Sequence, residues 1–430
     1  MSADASTADP ATLLEFLYRL GQAYLACSEQ TATVELILRR AATAYGMRRA
    51  RIVAFPTAVF ISLHDGEQER VTLAECATQT LRLDQIADVY NLGEAAQRGA
   101  VAPHDGLEQL SKIRQKGARF GVLGVVVGHV ILAVGLAMVL EPPLMNLAAA
   151  AILGLIVGVL KAFNRDRPVL SVPLPVVAAG VVSGVVFLAI KNGLAVDPLH
   201  ALVPPLVAFL PGGMLTLGMV ELAYGDMVSG SSRLVTGGVQ LLLLAFGLVA
   251  GAALIGYRPD QLVEEGSRPG VVGWTSWAGV LVFGIGAYLH FSAPRNALLW
   301  MLLVLLLAFA AQQLGGVFFD KEVSGFFGML VATPVSYLIQ LRFRGPPAMV
   351  TFLPSFWLLV PGAVSLLSVK HLLRDRAAGV EDLTTVAFVF VSIALGTLMG
   401  ASLYKWLTET FGWWQLPLGR VGTFFRRKKE

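Results

Sequence analysis

The sequence predicts an α-helical polytopic membrane protein, about ten transmembrane helices as two inverted five-helix repeats, with an N-terminal cytoplasmic α+β domain. Three observations carry this expectation. The 430 residues are 55% hydrophobic and only 14% charged, with a mean hydropathy of +0.67, too apolar for a soluble globule. Charge is unevenly placed, since residues 1–120 hold 27 of the 62 Lys, Arg, Asp and Glu side chains. The apolar part also repeats when 150 is added to the residue number: Asn146 falls on Asn296, Pro204 on Pro354, Pro211 on Pro361 and Gly212 on Gly362.

The polar part, residues 1–118, reads as a compact α+β domain. Leu13, Phe16, Leu17, Leu20 and Tyr24 recur at spacings of three and four, one face of a helix. A second helix, 31–45, ends at Gly46, which suits the left-handed closing conformation. RIVAF, TAVFISL and RVTL are short and β-branched, separated by Pro56 and HDGE, and read as strands. Helices over 83–98 and 103–115 follow, the latter opened by Pro103. Cys27 and Cys76 lack any CxxC or Cys/His spacing and read as reduced, partly buried thiols, so neither metal nor cofactor is expected. No basic segment followed by an apolar run precedes the domain, which is therefore expected in the cytoplasm.

Ser62, His64 and Asp65 superficially offer a nucleophile, a base and an orienter. Triads are assembled from distant segments, and successive strand residues face opposite sides, so these read as polar residues at a strand end and turn. Arg48, Arg49 and Arg51 read as a basic edge beside anionic lipid.

A helix needs about 20 apolar residues to cross a bilayer core. Candidate spans are 121–140, 146–163, 172–190, 202–220 and 234–255, then 272–290, 296–314, 323–340, 351–368 and 383–404. The membrane halves are residues 119–256 and 271–405, followed by a basic cytoplasmic tail, 406–430. Five spans per half is an odd number, so the second half enters from the opposite side and the halves are inverted copies, as in many secondary transporters. With the N-terminus inside, the inner segments after residue 120 carry thirteen Lys/Arg, Lys161 among them, against seven outside, which puts both termini in the cytoplasm. The segment KHLLRDRAAGVED runs against this rule. The net charge of +4 arises mainly in the terminal FFRRKKE, which suits anionic lipid; no nucleic acid is expected as a partner.

Pro211, Gly212 and Gly213 interrupt the fourth span, and Pro361 and Gly362 the ninth, both near the expected midplane. Proline removes an N–H and collides with the preceding turn, and glycine relaxes the backbone. Backbone groups freed in this way cannot face lipid, so they line a cavity or are met by neighbouring helices. Such a break also creates a half-helix N-terminus, suited to a carboxylate. A packing kink is the rival reading, and the repeat-related pair favours a solute site. His129 reads either as a proton carrier or as a hydrogen bond to a neighbouring helix. Glu221, Asp226, Ser229 and Arg233 follow the fourth span and read as an inner gate or as a plain salt-bridge network. Asn146, Asn296, Gln312, Gln313 and Thr333 are candidates to bond a polar solute or to link helices. No GxxxxGK[ST] occurs, so ATP hydrolysis is not the evident power source.

LPGGMLTLGMVELAYGDMVSGSSRLVTG in the first half and FLPSFWLLVPGAVSL in the second resemble the threonine/serine exporter family. RLGQAYLACSEQTATVELILRRAATAYGM and LRLDQIADVYNLGEAAQRG are similar to that family's N-terminal domain. The resemblance implies a multi-pass protein of the cytoplasmic membrane that exports small hydrophilic amino acids by antiport with protons. Some relatives are split into two polypeptides and are associated with dicarboxylate export. CSEQ after the first helix and Ser355-Phe356-Trp357 depart from the family pattern, and both bear on which solute is carried.

The expected function is therefore secondary transport of a threonine/serine-like solute with protons, not enzymatic catalysis. Pro211, Gly212, Gly213, Pro361, Gly362, Asn146 and Asn296 are the expected solute-binding positions; Glu221, Asp226, Ser229, Arg233 and His129 are expected to gate and couple. The expected partners are the solute, protons and the lipid bilayer, with a homo-oligomer left open. Dicarboxylate export is the alternative within transport. A membrane-tethered hydrolase acting through Ser62 and His64, or a solute-sensing N-terminal domain, are the alternatives outside it.

Overall fold

A computed structural model of the chain describes residues 9–47, 49–64, 69–75, 81–140, 143–164, 173–257, 273–359 and 376–410. The chain divides into two compact units, Met1–Ala118 with Glu221–Leu234, and Arg119–Val220 with Val235–Glu430.

In the first unit, α1 (Pro10–Ala26) begins at Asp9, whose carboxylate accepts from the Ala11 and Thr12 N–H groups. The expected stripe Leu13, Phe16, Leu17, Leu20 and Tyr24 is buried along its length. Each such side chain contributes about 1.5–3 kcal/mol by leaving water. After α2 (Thr31–Ala44), Gly46 has φ +87°, the left-handed closure expected there. Strands β1 (Arg51–Phe55), β2 (Ala58–His64) and β3 (Glu69–Glu75) form an antiparallel meander, Ile52 opposite Ile61 and Phe60 opposite Leu73. Alternation turns Ile52, Ala54, Val59, Ile61 and Leu63 into the core. Helices α3 (Leu83–Gln97) and α4 (Pro103–Gln115) close the unit. Tyr24 and Phe16 lie so close to Gly93 and Gly106 that a Cβ there would overlap the rings. Cys27 is buried; Cys76, Arg48 and Asp65 lie outside the described residues.

The second unit is helical: α5 (Gly121–Val139), α6 (Leu144–Asn164), α7 (Leu174–Lys191), α8 (Pro198–Leu206), α9 (Gly212–Ala223), α10 (Met227–Leu254), α11 (Trp274–His290), α12 (Leu298–Phe318), α13 (Lys321–Arg342), α14 (Ala348–Leu359) and α15 (Arg376–Thr410). The first turns of α10 and the last of α9 belong to the first unit. Among the described residues seven helices are long and apolar enough to cross a bilayer, or eight if the bent pair α8 and α9 is one span. The sequence led us to expect ten. The difference lies in α11, whose 17 residues fall a little short of the roughly 20 a crossing needs, and in α14, of which the 12 residues Ala348–Leu359 are described. The expected ninth span, 351–368, runs on into residues outside the described set, which include Pro361 and Gly362.

Small residues set the closest helix approaches. A Cβ on Gly128 would collide with the backbone of His290, one on Gly135 with Phe283, one on Gly279 with Val139 and one on Gly286 with Leu132. These contacts join α5 and α11 in antiparallel order. Adding 151 to Gly128 gives Gly279, and subtracting 151 from His290 gives Val139; the same operation turns the Gly135–Phe283 contact into Gly286–Leu132. A second pattern joins α7 to α10, where Gly247 and Gly251 abut the Val176 and Gly180 carbonyls, and α13 to α15, where Gly396 and Gly400 abut the Phe326 and Leu330 carbonyls. This is the small-xxx-small spacing by which membrane helices approach each other.

Candidate functional site

The fourth expected span is broken. Helix α8 holds Pro204 and Pro205, passes through a 3-10 turn at Val207–Phe209 and gives way to α9 at Gly212, with a bend of 62°. Proline deletes helix N–H donors, and the tighter turn redirects the ladder, so carbonyls near the break lose their intrahelical partners. Two are met from other helices. His129 Nε2 on α5 bonds Pro205 O at 2.9 Å, and Gln240 Nε2 on α10 donates to Phe209 O at 2.9 Å. The N–H side of the break stays open. The first bond of α9 runs from Leu215 N to Pro211 O (2.9 Å), and among the described residues no acceptor meets the Gly212, Gly213 or Met214 N–H groups.

A cluster of basic groups surrounds the break. His129 is fully buried, and its ring lies 4.7 Å from that of His290 on α11. A carbonyl only accepts, so His129 carries its proton on Nε2, and His290, bonded through Nδ1 to Val125 O at 2.8 Å, carries its proton there. His129 Nδ1 is left without a partner. Lys161 stands one turn beyond Gly158, where α6 passes so close to α5 that a Cβ would lie 3.3 Å from His129 Cβ. Its Nζ is 5.0 Å from the Phe209 ring centre and 5.8 Å from that of Phe291, which stacks on Trp357 at 4.3 Å. Among the described residues no carboxylate pairs with Lys161. The Thr216 hydroxyl on α9 and the Ser355 hydroxyl on α14 are buried and unpartnered. Leu353 and Phe356, which flank Ser355 in sequence, lie 3.6 and 3.7 Å from the position of a Cβ on Gly213.

A different arrangement occupies the first unit. Arg233 Nε meets Glu221 Oε2 at 2.9 Å, both side chains being buried, and Arg233 Nη2 donates to Glu29 O at 2.7 Å. The other Glu221 oxygen accepts from the Thr31 N–H at 3.2 Å, placing a carboxylate at the positive end of α2. The Thr31 hydroxyl lies within bonding reach of Glu221 (3.3 Å), Ser229 (3.2 Å) and Asp226, whose other oxygen caps the Ser229 N–H at 3.4 Å. Glu29 accepts from Tyr90 and from the Gln30 N–H (3.0 Å). Burial pushes the Glu29 carboxyl above its usual range, against the opposing pull of Tyr90, the Gln30 N–H and the Arg233 charge.

The structure thus brings Glu221, Asp226, Ser229 and Arg233 together, and adds Thr31 and Glu29. His129, Pro211, Gly212 and Gly213 belong to the second unit. Asn146 is buried and bridges backbone, donating to Asp197 O at 2.7 Å and accepting from Asp197 N at 3.2 Å; Asn296 is exposed in the turn before α12. Gln312 is half-buried, Gln313 exposed, and Thr333 buried without a partner. Ser62 and His64 are half-buried on β2. Sequence reasoning missed His290 and took Lys161 for a loop charge. The signal for Lys161 was its i+3 spacing from Gly158, at the end of the apolar run 147–160.

A family model described as "Putative threonine/serine exporter" matches residues 15–255, more than half of the chain. The chain belongs to the threonine/serine exporter family. It is also similar to pheromone-regulated membrane protein 10 of Zygosaccharomyces rouxii, at 27% identity over 223 residues, 46% of this chain. That match spans 23% of the relative's length. No solved structure matches the chain. Family membership and the apolar helices make it a multi-pass membrane protein of a transporter family.

Proposed function

We propose that this exporter-family member is a secondary transporter that moves small hydrophilic amino acids, threonine and serine foremost, out across the cytoplasmic membrane in exchange for protons. Both termini lie inside in this reading, and residues 119–256 and 271–405 are inverted halves that expose the solute site alternately. The observation that carries it is the broken span at Leu210–Gly212. Its carbonyl side is met by His129 and Gln240, and its N–H side is open, the arrangement of a half-helix built to receive an anionic group. The exchanged contacts of Gly128–His290 with Gly279–Val139 support the inverted relation, because antiparallel helices carried into each other by one rotation have an axis perpendicular to them.

Pro211, Gly212 and Gly213, with Pro361 and Gly362, shape the site. Glu221, Asp226, Ser229 and Arg233 form the inner gate: a proton on Glu221 removes the charge that holds Arg233, and the α9–α10 connection is released from the α2 N-terminus. His129 accepts a coupling proton on its vacant Nδ1. Counterflow of labelled threonine, serine and succinate in proteoliposomes, with and without a pH gradient, tests the reading. Threonine and serine counterflow that strengthens with the gradient is expected; succinate alone selects the dicarboxylate alternative, and transport of none sinks the assignment.

A further inference from the structure

We propose that Lys161, together with the open first turn of α9, holds the carboxylate group of the transported solute. This rests on the transport reading above and names the residue that recognises the cargo.

An ammonium group within a membrane helix costs several kcal/mol unless it is paired or placed for use, and such groups face interiors or aqueous paths. Lys161 lies in the last turn of α6, and its Nζ is turned onto the rings of Phe209 and Phe291. Two ring faces compensate part of the lost hydration, and among the described residues no carboxylate supplies the rest. The neighbouring polar groups, His129 and His290, each give their ring proton to a backbone carbonyl and carry no negative charge, so neither neutralises the ammonium.

Phe209 connects this amine to the break, because it is the last residue of the 3-10 turn and Gly212 opens α9 three residues later. The N–H groups of Gly212, Gly213 and Met214 are unmet among the described residues, and the helix dipole adds partial positive charge there. A second observation points to a ligand at this turn. Thr216 is 0% exposed, its hydroxyl has no partner, and it sits one turn above Gly212 on the same face. Helical Cα–Cβ bonds lean towards the N-terminus, so the Thr216 side chain lies over the open turn. The Cβ-free edges of Gly212 and Gly213 let a ligand approach the backbone. An ammonium, a half-helix N-terminus and a hydroxyl donor together match a carboxylate, which accepts several hydrogen bonds at two oxygens. Amino acids and dicarboxylates both carry that group, and the transport arms below separate them.

The test uses the full-length protein. In proteoliposomes, Lys161→Met raises the apparent KM roughly thirtyfold or more for whichever of threonine, serine and succinate the wild type carries. Lys161→Arg, which keeps the charge, loses less, and Thr216→Val produces a smaller rise of the same kind. Independently of transport, reductive methylation of Lys161 in the purified wild type, read by peptide mass spectrometry, slows in succinate or acetate but not in chloride of equal ionic strength. A Lys161→Met protein with the wild-type KM, or Lys161 methylated equally fast with and without carboxylate, overturns the proposal. If the wild type carries none of the three solutes, the transport reading fails for them, and the methylation result still decides the carboxylate site either way.

Discussion

Two groups of charged residues sit within the family-matched part of the chain, and they are built on opposite plans. Around Thr31 in the first unit, Glu221 and Arg233 are buried, but each has a direct partner: the two meet at 2.9 Å, Thr31 N–H fills the other carboxylate oxygen, and Glu29 O takes a second Arg233 donor. Around the helix break in the second unit, Lys161 has ring faces and no carboxylate among the described residues, and the α9 N–H groups have no acceptor there. A satisfied network fixes geometry, because removing one member strands another. An unsatisfied one holds its interaction energy for something that arrives. In the proposed reading the contrast separates a latch from a receptor.

The sharpest way to break this contrast is to remove a charge from each group. Arg233→Met strands Glu221 in a buried position and is expected to destabilise the first unit by about 3–5 kcal/mol. Amide exchange across Thr31–Ala44 should then accelerate, because the carboxylate that receives the Thr31 N–H loses its counter-charge. The double change Glu221→Gln, Arg233→Met removes both charges and should recover most of that loss. Lys161→Met, by contrast, should leave amide exchange and thermal stability unchanged or improved, since two ring contacts return less than the burial of an ammonium without a carboxylate costs. Equal destabilisation by the two single changes would erase the distinction.

How much of this was legible in the sequence follows the same division. The α1 stripe, the Gly46 closure and the three strands were readable because local periodicity and turn chemistry determine them. The break at Pro211 was readable because proline acts on its own backbone. Glu221 to Arg233 were legible as a group through proximity in the chain, but Thr31, some 190 residues away, was not: no local pattern encodes which helix N-terminus a distant carboxylate will cap. The same applies to His290 beside His129 and to Gln240 beneath Phe209. Lys161 was misread for a further reason. Loop-charge counting treats any lysine near a helix end as interfacial, whereas the amine of this one is turned onto the Phe209 and Phe291 rings.

A change of intermediate size probes the boundary between the two plans, the half of the break that is already satisfied. Gln240→Leu removes the donor to Phe209 O and leaves a buried carbonyl unpaired, a loss of about 1–3 kcal/mol. Thermal unfolding in detergent should register it as a lowered midpoint. Gln240→Glu at low pH, where the carboxyl keeps an O–H to donate, should be milder than Leu. If Leu is tolerated without loss, the break is not held by its carbonyls, and the half-helix N-terminus would lack the fixed position that recognition needs.

The smallest expected effect lies at Glu29, whose carboxyl, like that of Glu221, is pushed up by burial but has no charged partner in direct contact. Its proton affinity is raised in the folded state, so the folded protein binds more protons than the unfolded chain between the ordinary value of 4.5 and the raised one. The stability this group contributes is therefore fully present below 4.5 and is lost as pH rises through the folded value. Glu29→Gln keeps an acceptor for the Gln30 N–H and an amide for Tyr90 but cannot titrate. Its stability relative to the wild type should rise as the pH is taken from mildly acidic to neutral, most clearly in amide exchange at the start of α2. Parallel pH profiles for the two proteins would mean that the Arg233 charge and the two hydrogen bonds already offset the burial of Glu29, leaving the latch without any titrating member on its N-terminal side.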